Sequence, residues 1–306
     1  MQSIDDRPSL HHEGRGDNRK TQTPNLCIKT DVIHGAAIAA LFFVRNAIPA
    51  TIALMDILIV SLASLMAGLV DAIVGGGGLI LLPALFAVFP QAAPATLFGS
   101  NKSASIWGTA FASYQYSRKV QLRTSSLWPA AIAGLLGSLA GAWTVTQIDP
   151  GFLRKLLPIL LALLLLYTLA RKDLGRVHAP RWRADHEARL AAGIGLVIGF
   201  YDGFFGPGTG SFLVFAFVRL LGYDFLNASA AAKLVNTATN FSALVLFALK
   251  GHVWWHLALA MALANVVGSL IGTRLALKHG AGFVRVAFMV VVLALVAKTG
   301  YDAFIR

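Results

Sequence analysis

Long apolar stretches alternate with short polar stretches along the chain. The apolar runs cover residues 32–44, 47–74, 78–89, 95–117, 127–148, 153–170, 190–206, 210–221, 225–249, 253–273 and 283–300. Many of them approach the roughly 20 apolar residues that a helix needs to cross the hydrocarbon core of a bilayer. The pattern therefore predicts an all-α, polytopic transmembrane protein with on the order of ten passes, some of them short.

The apolar chain contains two copies of one unit. Adding 131 to a position in the first copy gives its counterpart in the second, without a gap from Gly68 to Arg154. Each copy has five apolar runs, and an odd number of passes makes the second copy enter the membrane in the opposite direction. The sequence thus predicts two inverted repeats of about five helices, some short or broken.

These repeats define the predicted domain organisation. Residues 55–170 form the first transmembrane repeat, residues 171–189 a basic cytoplasmic linker, and residues 190–306 the second transmembrane repeat. Residues 1–54 are an N-terminal extension, with a disordered polar tail and an extra apolar segment. We hypothesise that this extension is an addition or an over-long gene start, because the first copy begins near Met55. Peptides of residues 1–54 recovered from the mature protein would contradict that hypothesis.

Composition and charge narrow the possible functions. The chain has 57% hydrophobic and 13% charged residues and a mean hydropathy of +0.68, which excludes an ordinary soluble domain. The formal net charge of +12 does not indicate nucleic acid, because the basic residues lie in short loops between apolar runs. The positive-inside rule places loops 118–123, 171–189 and 274–285 in the cytoplasm and the C-terminus in the periplasm. Cys27 is the single cysteine, so an intramolecular disulfide and a cysteine-based metal site are excluded.

Two glycine clusters interrupt apolar runs at equivalent places in the two copies. The clusters contain Gly75, Gly76, Gly77 and Gly78 in the first copy, and Gly206, Pro207, Gly208, Thr209 and Gly210 in the second. Non-helical backbone at membrane depth is tolerated only where protein or a water-filled cavity satisfies it. The short helix after each break would direct its N-terminal amides at an anion, so the clusters predict a substrate site between the copies. The alternative is that these glycines only allow close helix packing.

Charged and amide side chains accompany the breaks. Lys102 and Lys233 are equivalent lysines inside apolar runs, where an ammonium is costly unless it is hydrated or paired. Asp71 and Asp202 precede the breaks by one turn; we expect them to neutralise Lys102 and Lys233, respectively, or to carry a coupled proton. Polar side chains of the same region either line an aqueous path or make interhelical hydrogen bonds, and they include Asn101, Asn236 and Asn240. We expect no metal and no cofactor.

The residues around the breaks resemble the motifs of the TauE/SafE (sulfite exporter) family. The first motif is Gly68 to Gly78 (GLVDAIVGGGG) with Pro83 following, and the second is Gly199 to Gly210 (GFYDGFFGPGTG), continued by Ala228 to Asn240. The resemblance covers about residues 55–300. It implies a transporter of small sulfur-containing anions, such as sulfite or organosulfonates, in the bacterial inner membrane. It also allows a homodimer, and we expect an exporter that is proton-coupled.

Other functions stay open on the sequence alone. A transporter or passive channel for other small organic anions would use the same glycines and lysines. An intramembrane aspartyl protease also uses two membrane aspartates, but its second aspartate lies in a Gly-x-Gly-Asp motif and its Pro-Ala-Leu follows both aspartates. Here Pro83 precedes Asp202, and Gly68 lies three residues before Asp71. We therefore expect no enzymatic activity.

Overall fold

The computed structural model describes residues 54–149, 151–152 and 182–304, and eight helices and no strand lie in those ranges. The helices are α1 (Leu54–Val74), α2 (Gly78–Val88), α3 (Pro94–Ser117), α4 (Thr124–Val145), α5 (Ala184–Phe204), α6 (Thr209–Ala216), α7 (Phe225–Leu249) and α8 (Trp255–Phe304). A π-helical turn, Phe217–Leu221, extends α6. The predicted all-α class is confirmed, whereas the predicted runs 32–44 and 153–170 and the extension 1–54 lie outside the described residues, apart from the first residue of α1.

The helices repeat with the register that the sequence predicts. Shifting the starts of α1, α2, α3 and α4 by 131 places each of them within one residue of the start of α5, α6, α7 and α8. Helix α5 begins six residues before the apolar run at 190, because its polar first turn carries Asp185 and Glu187, which suit a helix N-terminus. Helix α8 joins two predicted runs, and its kink lies at Gly280, whose φ is 72°.

The fourth helix of each copy packs against the other copy. Helix α4 packs chiefly on α5 and α7, and α8 packs chiefly on α1 and α3. Small residues let the backbones approach: a Cβ on Gly137 would lie 2.2 Å from the Leu196 carbonyl oxygen, and one on Gly268 would lie 1.9 Å from that of Leu65. These two contacts are equivalent under the 131-residue shift. Such reciprocity is the signature of two units related by a two-fold axis.

Helices α3 and α7 pack against each other and run in opposite directions. Gly99 of α3 lies beside Phe247 of α7, whereas Thr109 accepts a hydrogen bond from the side chain of Asn240 at 3.4 Å. The contacts therefore move forward along one helix and backward along the other. Equivalent helices that are antiparallel support the inverted repeat, whose orientation in a membrane stays a prediction.

Two apolar clusters form the core at opposite ends of the bundle. One contains Leu213 of α6 with Val120 and Ala276, and the other contains Leu81 of α2 with Phe98. The first cluster contains residues from the loop after α3, from the start of α5 and from the part of α8 before its kink. We call this end of the molecule the basic end, because these segments border the basic loops of the sequence. The two short helices thus insert into opposite ends. Their N-termini are left between the two clusters.

Four of the described helices are long and apolar enough to cross a membrane. They are Leu54–Val74, Thr124–Val145, Phe225–Leu249 and the part of α8 from Trp255 to Gly280. Helices α3 and α5 have similar lengths, 24 and 21 residues, but contain more polar residues. The fold is therefore that of a multi-pass helical membrane protein.

Candidate functional site

The two glycine breaks lie against each other. A Cβ on Gly75 would come within 2.3 Å of the carbonyl carbon of Gly210, and one on Gly78 within 3.3 Å of the Cα of Pro207. The hydroxyl of Ser211 donates a hydrogen bond to the carbonyl oxygen of Gly75 at 2.8 Å. The structure thus brings the predicted glycines of both copies into direct contact, with the N-termini of α2 and α6 side by side.

Glycine is required at four positions of the breaks for conformational reasons. The φ angles are 78° at Gly75, 108° at Gly76, 92° at Gly206 and 82° at Gly208. Residues with a side chain are strained in this left-handed region. The sharp turn that ends α1 and α5 and starts the short helices therefore depends on these glycines.

The lysines and aspartates pair between the copies. Lys102 Nζ lies 2.6 Å from Asp202 Oδ1, and Lys233 Nζ lies 3.0 Å from Asp71 Oδ2. The sequence-based pairing of Asp71 with Lys102 and of Asp202 with Lys233 was therefore wrong. The reason is the crossing of α3 and α7, which brings each lysine to the break of the other copy. The side chain of Lys102 in fact lies against Gly206.

The carboxylate of Asp71 accepts hydrogen bonds from backbone amides of the first break. Its Oδ1 accepts hydrogen bonds from the backbone N–H of Gly76 at 3.1 Å and of Gly77 at 3.3 Å, while its Oδ2 pairs with Lys233. We expected the N–H groups of the break to face an anion. In this state two of them bind a carboxylate of the protein itself, which shows what kind of group they suit.

The second break differs because Pro207 takes the place of Gly76. Proline has no N–H, so the donor that Asp71 uses at Gly76 has no equivalent for Asp202. Asp202 is 1% exposed, and its Oδ2 has no hydrogen-bond partner among the described residues. Tyr201 donates its hydroxyl hydrogen to the carbonyl of Pro207 at 2.6 Å, and Thr209 donates its own to that of Gly206 at 2.8 Å. The second break is thus held by side-chain hydroxyls.

The predicted amide side chains are buried at the helix interfaces. Asn101 is 4% exposed, and its Oδ1 lacks a partner within the described ranges. Asn236 Oδ1 accepts from Thr239 within α7, and Asn240 donates to Thr109 of α3. Asn240 therefore makes the interhelical bond that was the alternative to lining a path. The side-chain oxygen of Asn101 is therefore available to a further donor.

A buried carboxylate at the basic end was missed by the sequence reasoning. Glu187 is fully buried; its Oε2 accepts from Arg123 at 2.7 Å, and its Oε1 accepts from the hydroxyls of Ser126 and Tyr223. Burial, followed by the hydrogen bond to Glu187, raises the pKa of Tyr223, so the phenol remains a donor. The available signal was the repeat itself, because the shift of 131 places Glu187 on Asp56, another acid in a first helical turn.

At the opposite end, the loop between α7 and α8 is fastened to α3. The hydroxyl of Thr96 lies 3.2 Å from Nδ1 of His252, and the backbone N–H of Trp254 donates to the hydroxyl of Ser100 at 3.1 Å. Burial, followed by the charge of Lys250, lowers the pKa of His252 and favours its neutral form. These bonds hold the loop before α8 against the first two turns of α3.

Comparison with known proteins gives a family and several relatives. The model of the family described as "Sulfite exporter TauE/SafE" matches residues 60–299. The chain is 35% identical over 240 residues to the "Probable membrane transporter protein YfcA" of Escherichia coli (strain K12), covering 78% of this chain and 88% of the relative. It is 35% identical over 242 residues to a "Probable membrane transporter protein" of Haemophilus influenzae, covering 78% and 91%. No solved structure matches the chain.

Proposed function

Because the chain belongs to the TauE/SafE family of membrane transporters, we propose that it is a secondary transporter that exports small sulfur-containing oxyanions, such as sulfite or organosulfonates. One observation carries the proposal: two buried lysines of opposite copies lie at the junction of two glycine breaks. Ammonium groups and helix N-termini are the groups that bind an oxyanion inside a protein.

The proposed site holds its anion between the breaks. Lys102 and Lys233 supply positive charge, while the backbone of Gly75 to Gly78 and of Gly206 to Gly210 supplies N–H groups and close approach. Because both lysines are already ion-paired, an anion binds only if it replaces or rearranges a carboxylate partner. Asp71 and Asp202 therefore take part in binding, either as counter-ions that are displaced or as carriers of a coupled proton.

The helix packing supports a particular form of alternating access. The bodies that would move are the bundle of α1, α3 and α8 and the bundle of α4, α5 and α7, which meet mainly along α3 and α7. Each bundle contains helices of both copies, so the rocking units are not the two halves of the sequence. The ion pairs lie across this interface, because each of them joins one bundle to the other.

Other functions are less well supported. A carrier or channel for other small organic anions would use the same lysines, and the substrate experiment below separates these cases. An aspartyl protease needs two carboxylates that share a proton. Here each aspartate is engaged by its own lysine, and the curated relatives carry the names of membrane transporters. We propose the bacterial inner membrane as the location, with the basic end in the cytoplasm.

Thermal stabilisation and flux test the proposed function. We expect sulfite or a small sulfonate to raise the melting temperature of the purified protein more than small carboxylates do. In proteoliposomes, Lys233→Met should reduce the flux of that anion about tenfold or more, because a buried anion loses a charge-assisted hydrogen bond. Lys250→Met is the matched control, since Lys250 ends the same helix and is exposed.

Two outcomes would contradict the proposal. If a carboxylate stabilises and crosses the membrane while sulfite and sulfonates do not, the substrate class is wrong. If an anion crosses but never accumulates beyond its electrochemical equilibrium under any imposed gradient, the protein is a channel.

A further inference from the structure

We infer that Asp202 binds the coupled proton while Asp71 stays ionised, an assignment that rests on the proposed transport function. The two carboxylates are equivalent in the sequence, and each of them faces a lysine of the other copy. Their remaining contacts differ, and this difference carries the inference.

Asp71 is satisfied as a carboxylate. Its two oxygens accept three hydrogen bonds, two from backbone N–H groups and one from Lys233. Donors of this kind stabilise the charged form of a carboxyl group and oppose its protonation. Protonation of Asp71 would also weaken the turn that the Gly76 and Gly77 amides form with it. Asp71 therefore acts as a fixed part of the first break.

Asp202 lacks these donors. Its Oδ1 pairs with Lys102, but Oδ2 is buried and has no partner among the residues that the structure describes. A buried carboxylate oxygen without a donor raises the cost of the charged state. The sequence explains one missing donor: Pro207, which has no N–H, stands at the position equivalent to Gly76, whose N–H donates to Asp71. A proton on Oδ2 would convert this oxygen into a donor and remove the charge.

The groups around Asp202 allow this change. The charged side chain that contacts Asp202 from a neighbouring element is Lys102 of α3. Asp71 of α1, which pairs with Lys233 of α7, is close enough to interact electrostatically with Lys102. Tyr201 of its own helix donates to Pro207 and not to the carboxylate. Helix α4, packed against α5, has no ionisable side chain. When Asp202 is neutral, the ammonium of Lys102 has one partner fewer and attracts an anion.

The resulting step couples a proton to the anion. A proton from the aqueous side forms an O–H bond with Asp202 Oδ2, the ion pair with Lys102 is lost, and the ammonium keeps its proton and its charge. A monoanion then pairs with Lys102, so one proton and one negative charge enter together. Transport is therefore an electroneutral symport for a monoanion. Net export follows whenever the outward gradient of the anion exceeds the inward gradient of protons.

Infrared difference spectroscopy of the full chain in liposomes tests the proton site without any substrate. Lowering the pH should produce, beside the bands of the exposed carboxyl groups, the separate carbonyl band of a buried protonated carboxyl group in the wild type and in Asp71→Asn, but not in Asp202→Asn. Asp202→Glu should restore a band at a shifted frequency, which separates loss of the site from misfolding. The inference is overturned if the wild type shows no such band, if Asp202→Asn keeps it unchanged, or if only Asp71→Asn loses it.

A flux measurement separates this inference from the proposed function. Methanesulfonate keeps its single charge at all relevant pH values, so protons that move with it are bound by the protein. We expect wild-type proteoliposomes to move one proton with each methanesulfonate, and Asp202→Asn to move the anion without protons. Wild-type flux without protons overturns the coupling. If neither methanesulfonate nor sulfite crosses, the proposed function fails, while the infrared bands still decide whether Asp202 holds a proton.

Discussion

The two lysine–aspartate pairs differ in how much free energy is lost when one partner is removed. Lys102 and Asp202 are 3% and 1% exposed, so neither group has water to replace the other. Removing one member of a buried pair leaves an uncompensated charge, which costs about 3–5 kcal/mol. Asp71 keeps two backbone donors when Lys233 is removed, so the loss there is smaller. The two copies therefore have the same lysine and aspartate residues, but breaking the ion pair costs a different amount of free energy in each.

Replacing Lys102 tests this difference. At a pH high enough to keep Asp202 ionised, we expect Lys102→Met to lower the free energy of unfolding by about 3–5 kcal/mol, because Asp202 is left buried and charged. Lys102→Met/Asp202→Asn should recover most of that loss, since no charge remains unpaired, yet it should stay inactive in anion flux. Lys233→Met should cost less than Lys102→Met. The measurement is unfolding in detergent together with flux in proteoliposomes.

Equal stability of the single and the double variant would contradict the prediction. It would mean that Asp202 is already neutral or hydrated when Lys102 is absent.

At the scale of elements, the glycine breaks decide where the short helices begin. Each break has two glycines with positive φ, after which α2 and α6 insert into opposite apolar clusters. The same breaks touch each other, so a side chain at Gly75 would strain the backbone and also separate the copies. Other described glycines, such as Gly137 and Gly268, serve close packing of helices, and a side chain at Gly193 would meet nothing within 4 Å.

Gly75→Ala and Gly193→Ala form a matched pair of substitutions. At Gly75 the φ of 78° costs about 1–2 kcal/mol for alanine, and the new Cβ would lie 2.3 Å from Gly210. We expect a lower melting temperature and loss of anion flux. At Gly193, within α5, a Cβ meets nothing within 4 Å, so alanine should be neutral or stabilise the helix by up to about 1 kcal/mol. Wild-type flux in Gly75→Ala would remove the close contact of the breaks from the mechanism.

At the scale of the whole molecule, the polar ends of the bundle differ in charge. The basic end carries Arg118, Lys119, Arg123, Arg274 and Lys278, and Arg123 is tied to Glu187 of α5. The described parts of the three loops that were predicted to be cytoplasmic therefore lie at one end. By the positive-inside rule, we expect this end to face the cytoplasm. The antiparallel α3 and α7 place the loop between α7 and α8 at the other end.

Cysteine accessibility tests this topology. In a Cys27→Ser background, we expect Lys119→Cys and Lys278→Cys to react with a membrane-impermeant thiol reagent only from the cytoplasmic side. Lys250→Cys should react only from the periplasmic side. All three positions are exposed, so the side of the membrane decides the labelling. Labelling of Lys119→Cys and Lys250→Cys from the same side would exclude the inverted arrangement.

The helices, their repeat and the chemistry available to the site could be predicted from the amino-acid sequence. Hydropathy and helix-breaking glycines act over a few residues, so α2, α3, α6 and α7 begin within one residue of the predicted apolar runs. The internal shift of 131 identified equivalent residues, which is why the lysines, aspartates and glycine breaks could be named in advance. The buried role of Glu187 was not found, because its polar neighbours masked the start of α5.

Which of these groups meet depends on how the helices pack in three dimensions. A repeat assigns the same residues to both copies, but it does not tell whether Lys102 reaches Asp71 or Asp202. The pairing between copies follows from two features of the packing: α4 and α8 each pack against the other copy, and α3 crosses α7. Likewise, the missing N–H of Pro207 matters only because the structure places Asp202 beside it. These outcomes depend on contacts between residues far apart in the chain, and no local periodicity encodes such contacts.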